Sequence, residues 1–404
     1  MAQPAVEIPF TIHIPDSEIE YLHKKLEVTR FPDELEDPKW DYGAPLSDIK
    51  RLVGLWKDGF DWRKSEESIN KLPQFITDIE VDDFGTLKIH YVHQKSEVKD
   101  AIPLLFVHGW PGHFLEVRKI LPLLVEAKPD QPSFHVVALS LPGFGFSEAP
   151  KKKGFGIKKH AEVANKLMLS LGYNEYVTQG GDWGHIITVL QASIYGPKHV
   201  KAWHSNFPLP RSPPSLLQNP LSYLSHLLPW DAKEKAGAAR TNWFLAKGMG
   251  YNLEQSTQPQ TIGYSLADSP AGLLAWIYEK LVQWSDNYPW TDEEVLEWVS
   301  IYWFSRAGPA ASVRIYYEAR QEGSIGQKTP WSPIPFGYSS FPKDLVVRPK
   351  SWCRTIGNVV FEKFHEDGGH FSAHERPEIL AADLREMFGK GGPAFGVVPG
   401  KNGY

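Results

Sequence analysis

The sequence predicts an α/β fold with a mostly parallel central sheet, interrupted by a helical insertion and preceded by an irregular lead segment. Three observations predict it. Short apolar runs end abruptly in Gly and Pro, as Leu104-Leu105-Phe106-Val107 does before His108-Gly109 and Val136-Val137-Ala138-Leu139 does before Pro142-Gly143. Such runs are what parallel strands buried on both faces require. Helical periodicity alternates with them, and the alternation stops between about 208 and 333.

Taken in order, residues 1–75 read as a polar, Trp- and Pro-containing meander with helices near 16–28 and 46–59. Residues 79–82 and 87–92 alternate with period two around Asp83-Phe84-Gly85, a hairpin signal. The apolar positions Ile157, Ala161, Ala164, Met168 and Leu171 recur at three and four, which predicts a helix. A short strand over 175–178 then leads into Gly180-Gly181-Asp182, and a helix follows over 184–195. Strands alternating with helices imply a parallel sheet. Residues 76–207 are therefore expected to form the first part of a core, 208–333 an aromatic helical lid, and 334–404 the rest of the core. In that last part, strands are expected at 336–338 and 359–361 and a helix at 377–388.

Composition narrows the function. A formal charge of −5 and the absence of a long basic run exclude the usual nucleic-acid binders. One cysteine, Cys353, rules out an internal disulfide and fits a cytoplasmic protein. Residues 1–11 lack the pattern of a signal peptide, and no apolar stretch approaches the roughly 18–20 residues that span a bilayer, so no membrane anchor is expected.

The chemistry concentrates in a few motifs. Gly180-Gly181-Asp182-Trp183-Gly184 sits at a strand-to-helix junction, where small flanking residues permit a sharp turn that projects the central side chain. Asp there is equally a helix N-cap. The preceding apolar strand and the glycines on both sides favour a nucleophile. An ionised carboxylate attacks an alkyl carbon without a base, and the resulting ester must then be hydrolysed with help from a histidine. His365, His370 and His374 are the candidates. His370, on the Gly368-Gly369 loop after a strand, has the setting of a site residue, whereas His365 and His374 read as surface residues. Asp344, in its own strand-end loop, is preferred as the orienting acid over Glu362, Glu366 and Asp367. His108-Gly109-Trp110-Pro111-Gly112 follows a strand end, and the Trp110 and Trp183 amides are expected to form an oxyanion hole. A plain turn is the competing reading there, as it is for Gly143-Phe144-Gly145-Phe146-Ser147.

Together these motifs resemble the epoxide hydrolases of the α/β-hydrolase superfamily, of the microsomal type and closest to its soluble fungal members. Phe31-Pro32, Trp40-Asp41-Tyr42-Gly43 and Phe341-Pro342-Lys343-Asp344 extend the resemblance over nearly the whole chain. The resemblance implies Asp182 as nucleophile, His370 as base and Asp344 as its acid. It also implies two lid tyrosines that bind and protonate the epoxide oxygen. One is Tyr251, ahead of Thr257-Gln258-Pro259-Gln260-Thr261. The other is Tyr316 in Arg314-Ile315-Tyr316-Tyr317-Glu318, with Tyr317 adjacent as the alternative. Trp183 is expected to line the substrate site with them. The expected reaction adds water to an epoxide to give a vicinal diol, with no metal or organic cofactor. The expected ligands are a small hydrophobic epoxide and water, and a homodimer is compatible with the sequence. The aromatic lid points to apolar, aryl-bearing epoxides and a detoxifying or aromatic-catabolic setting. A haloalkane dehalogenase-like hydrolase, and a catalytically silent scaffold for hydrophobic ligands, are the competing readings.

Overall fold

The computed structural model describes residues 7–210, 212–217, 219–324 and 331–404. Parts of the expected meander (1–6) and of the expected lid (211, 218 and 325–330) lie outside the described residues.

A nine-stranded sheet organises the chain. In sequence the strands are β1 (Ile8–Pro9), β2 (Gln74–Val81), β3 (Gly85–Gln94), β4 (Ile102–Val107), β5 (Phe134–Leu139), β6 (Tyr176–Gly180), β7 (Val200–Ser205), β8 (Pro335–Ser340) and β9 (Asn358–Phe364). Their spatial order is β1-β2-β3-β5-β4-β6-β7-β8-β9. The first three run antiparallel to their neighbours, and β5 to β9 pair in parallel. The hairpin of β2 and β3 closes at Val81↔Gly85. There Asp83 and Gly85 adopt φ of 69° and 78°, the left-handed region that lets two strands reverse tightly. Strand β4 is buried along its whole length, as its unbroken apolar run requires.

Helices Ile157–Ser170 and Trp183–Tyr195 pack on each other beside the sheet. Helix Pro377–Phe388 packs against Ile120–Val125. Between β7 and β8 every regular element among the described residues is helical, from Pro220–His226 to Arg314–Glu322. Two of these helices begin with reciprocal capping boxes, Asp231 with Glu234 and Thr291 with Glu294. Each box satisfies backbone donors that would otherwise be orphaned at the helix start.

Among the elements that escaped the sequence reading, two bear on the core. Helix Trp62–Ile69 lies inside the lead segment, where Asp61 caps it by accepting from the Arg63 and Lys64 amides. Strand β7 contains Lys201 and His204 and so shows no apolar run. Burial is made tolerable by a polar ladder: His204 Nδ1 meets Gln179 Oε1 on β6 at 2.6 Å, and its Nε2 meets Ser339 Oγ on β8 at 3.2 Å. Only the flanking strands supply those partners, so the pattern cannot be read locally.

Candidate active site

Asp182 stands directly after β6 with φ 52° and ψ −124°, a conformation that costs a non-glycine residue of order 1–3 kcal/mol and persists only where the surroundings impose it. The glycines around it leave no room for side chains. A Cβ at Gly184 would lie 1.9 Å from the Val107 carbonyl oxygen, and one at Gly180 would lie 2.4 Å from that of Gly184. Although Asp182 occupies the N-cap position of helix Trp183–Tyr195, its side chain caps no amide there. It turns instead to the 108–112 turn, where Oδ1 accepts a 2.8 Å hydrogen bond from the Trp110 amide. Gly109 permits this approach, since a Cβ there would lie 2.2 Å from Oδ1.

Oδ2 of Asp182 faces His370 Nε2 at 3.3 Å. On the far side of the ring, His370 Nδ1 donates to Asp344 Oδ1 at 2.6 Å. The Leu345 amide also donates to that oxygen, at 2.7 Å. Burial disfavours the imidazolium, but the flanking carboxylates of Asp344 and Asp182 outweigh it and raise His370 to about 10. In the resting site the histidine is therefore a cation between two anions.

Aromatic rings wall this triad. Phe207 and Trp284 each meet the His370 ring edge-on with centroids 5.2 Å apart. Tyr251 stacks on Trp110 at 5.2 Å, and Tyr316 meets Trp183 edge-on at 4.7 Å. Both tyrosines are buried, and the burial together with the Asp182 charge pushes both phenols up, so they hold their protons. The Tyr316 hydroxyl lies against the Trp183 indole and the Tyr251 hydroxyl without a well-aligned hydrogen bond to either. Tyr317, by contrast, is only half-buried. The Trp110 amide thus reaches Asp182, and the Trp183 amide makes no hydrogen bond to it.

The two other histidines are not the surface residues expected. His374 is buried, stacked on Trp290 at 4.9 Å, with Nε2 3.4 Å from Glu294. His365 is half-buried, with Nε2 2.6 Å from Asp383. Both belong to packing networks that only the folded chain assembles. Glu366 is exposed, and Asp367 pairs with Arg376 at 2.8 Å, away from the triad. His108 is also structural. Its Nδ1–H donates to the Gly109 carbonyl, its Nε2 accepts from the Leu141 amide, and burial lowers it to about 4.

Residues 7–117 match the family described as epoxide hydrolase N terminus, and residues 102–248 match the alpha/beta hydrolase fold. A putative epoxide hydrolase of Stigmatella aurantiaca is 37% identical over 392 residues, which cover 94% of this chain and 84% of that protein. The chain belongs to the epoxide hydrolases. This epoxide hydrolase has the α/β-hydrolase fold, and solved structures agree. That of the Aspergillus niger epoxide hydrolase matches with a TM-score of 0.82 and 37% identity, over 95% of this chain and 96% of that one. That of juvenile hormone epoxide hydrolase from the silkworm Bombyx mori matches with a TM-score of 0.83 and 28% identity, over 95% and 94%. These alignments with fungal and insect enzymes overturn the expected assignment to the microsomal type. Among the described residues, no helix is long and apolar enough to cross a membrane.

Three features of this epoxide hydrolase's site were missed in the sequence. The Trp284 carbonyl accepts the His370 amide at 2.8 Å, fixing the histidine loop from the lid. Arg240 ties the Asp344 carbonyl to that of Gln283, at 3.1 and 2.8 Å. Glu116 lies half-buried near the triad, and its charge interacts with both Asp182 and His370. None carries a local motif, since each acts on a partner far away in sequence.

Proposed function

We propose that this enzyme opens epoxides through a hydroxyalkyl ester on Asp182 and hydrolyses that ester with water activated by His370 and Asp344. The observation that carries the reading is one histidine held between two carboxylates, 2.6 Å from Asp344 and 3.3 Å from Asp182. Tyr251 and Tyr316 bind the epoxide oxygen, a role supported by two buried protonated phenols that lie against each other. Asp182 Oδ2 attacks a ring carbon, the ring C–O bond breaks, and a tyrosine protonates the alkoxide. The proton lost from the tyrosine is restored from His370, which has become less basic because esterification removed the neighbouring Asp182 charge.

Neutral His370 then takes a proton from water. The oxygen bonds to the Asp182 carboxyl carbon, and the developing oxyanion lies on Oδ1, where the Trp110 amide already donates. The Trp183 amide is the second donor in this proposal. It lies at the first turn of a helix, where amides are free of intrahelical partners. Collapse releases the diol and returns a carboxylate and an imidazolium, so charge and protons balance over the cycle. Trp183, Tyr251 and Tyr316 line the substrate site. An open cavity of about 690 Å³ reaches Tyr251 past Trp243 and Trp276, with Arg240, Lys280 and Asp286 also on its walls.

The working division of the chain is 1–75, 76–207, 208–333 and 334–404, with the third segment serving as the lid. It is supported by the helical run between β7 and β8. A homodimer is proposed on the exposed Leu216, Leu217, Leu221, Leu224, Leu227 and Leu228 of that lid, an apolar patch of the kind that marks an interface. The cytoplasmic setting rests on the single cysteine, Cys353, free and buried.

Single turnover in heavy-oxygen water tests the mechanism. The expected result is label in the Asp182 peptide and none in the first diol released. Diol carrying solvent oxygen from that first turnover, with an unlabelled peptide, overturns the covalent route.

A further inference from the structure

One acid beside the triad has no part in the steps above. Glu116 follows the 108–112 turn, within the short helix Phe114–Val117. Its carboxyl presses onto the turn from the opposite end to Asp182. A Cβ at Gly112 would lie 1.6 Å from Glu116 Oε1, as one at Gly109 would lie 2.2 Å from Asp182 Oδ1. Two glycines three residues apart thus let two carboxyls approach one loop at backbone distance. The lid clamps that loop: Trp298 Nε1 donates to the Pro111 carbonyl at 2.7 Å, and the Tyr302 hydroxyl donates to the Gly112 carbonyl at 2.6 Å. Phe114, Leu115 and Val117 are buried, whereas Glu116 among them retains accessible surface. Among the described residues no donor hydrogen-bonds its carboxyl oxygens. A carboxyl so placed has hydrogen-bonding capacity left for a small polar molecule.

We propose that Glu116 orients the hydrolytic water, accepting the O–H that does not point at His370 while the water oxygen attacks the Asp182 ester. The proposal rests on the covalent reading of Asp182. A water that gives one proton to His370 and a lone pair to the ester carbon has a second O–H to satisfy inside an aromatic-walled site, and leaving it unpaired is costly. The proton transferred still goes to His370 Nε2; Glu116 transfers none. Glu116 does this work as an uncharged acid. Burial, followed by the Asp182 charge, raises it to about 8, with the His370 cation acting in the opposite direction. Asp182 on the elbow, His370 on the loop after β9 and Tyr302 on the lid are the titratable groups coupled to it. An anion there would take the place of the Asp182 charge that esterification removes and hold His370 in the protonated form that cannot act as a base.

Rapid-quench measurement of the Asp182 ester by mass spectrometry separates the two steps. For Glu116→Ala, ester formation is expected within about threefold of the parent, with ester hydrolysis slowed about tenfold or more so that ester accumulates. Glu116→Gln keeps the accepting oxygen and should restore hydrolysis at neutral pH. It should also lose the decline that ionisation of Glu116 imposes on the parent's hydrolysis step as pH rises into the alkaline range. Equal slowing of both steps in the alanine variant, or unchanged hydrolysis in it, overturns the role of Glu116 while the Asp182 mechanism stands. Failure of the glutamine variant to restore hydrolysis also overturns it. An absence of ester in every protein, parent included, overturns the Asp182 reading and this one with it.

Discussion

At the scale of single residues, protonation decides what the site can do. His370 holds its proton to about pH 10 in the folded protein, against about 6.5 for a free imidazole. A pKa raised by folding contributes stability that is complete below about 6.5 and disappears as pH rises through about 10. Thermal unfolding of the parent between pH 7 and 10 should therefore lose more stability than Asp344→Asn, which lacks the main carboxylate that favours the cation. Parallel curves would refute the assignment. The tyrosines give a second contrast. Tyr316 faces Trp183 and Tyr251 and is buried, whereas Tyr317 is half-buried on the neighbouring helical face. Tyr316→Phe should slow ester formation about 100-fold and Tyr317→Phe less than about threefold. A pre-steady-state assay of the alkylation step distinguishes them, and the reverse ranking would transfer the role to Tyr317.

At the scale of elements, the elbow between β6 and helix Trp183–Tyr195 converts sequence into strain. Its glycines are there because carbonyls already occupy the space a methyl would need. Gly184→Ala would place a carbon 1.9 Å from the Val107 carbonyl oxygen, in backbone that cannot swing aside as a side chain can. The expected cost is about 1–3 kcal/mol or more, seen as a lower denaturation midpoint together with lost activity. Gly172→Ala is the control for contact, since a Cβ at Gly172 meets nothing within 4 Å, although its φ of 85° still strains the backbone. Should both variants lose the same stability, the close approach at the elbow would not be what requires glycine. The hairpin, helix Ile157–Ser170 and the last helix were legible because each buries one face or two with a simple period. Strand β7 was not, because its buried histidine depends on Gln179 and Ser339 from other strands.

At the scale of the whole molecule, lid and core meet through polar as well as aromatic contacts. Arg118 pairs with Glu297 at 2.7 Å, and Lys119 with Glu294 at 3.1 Å. The outer lid carries the leucine patch, with Leu217 96% and Leu221 82% exposed. Exposed leucines at that density favour association over solvation. Sedimentation of the parent should show a dimer, and Leu221→Glu with Leu224→Glu should shift it to monomer without altering turnover. A parent that sediments as a monomer at micromolar concentration would remove the proposal.

The sequence by itself determined which residues could do the chemistry. An Asp between glycines at a strand end, a His after Gly-Gly and an acid in its own strand-end loop are local signatures, because tight turns and exposed side chains impose local demands on residue type. The tertiary structure alone decided how those groups meet. It drew together His370 and Asp344, 26 residues apart, and carried Trp284 from the lid to His370. It put His374 into a buried network and set the Glu116 carboxyl against Gly112, within reach of the Asp182 charge. Charge and burial act through space, and the separation of two groups along the chain says nothing about the field one imposes on the other.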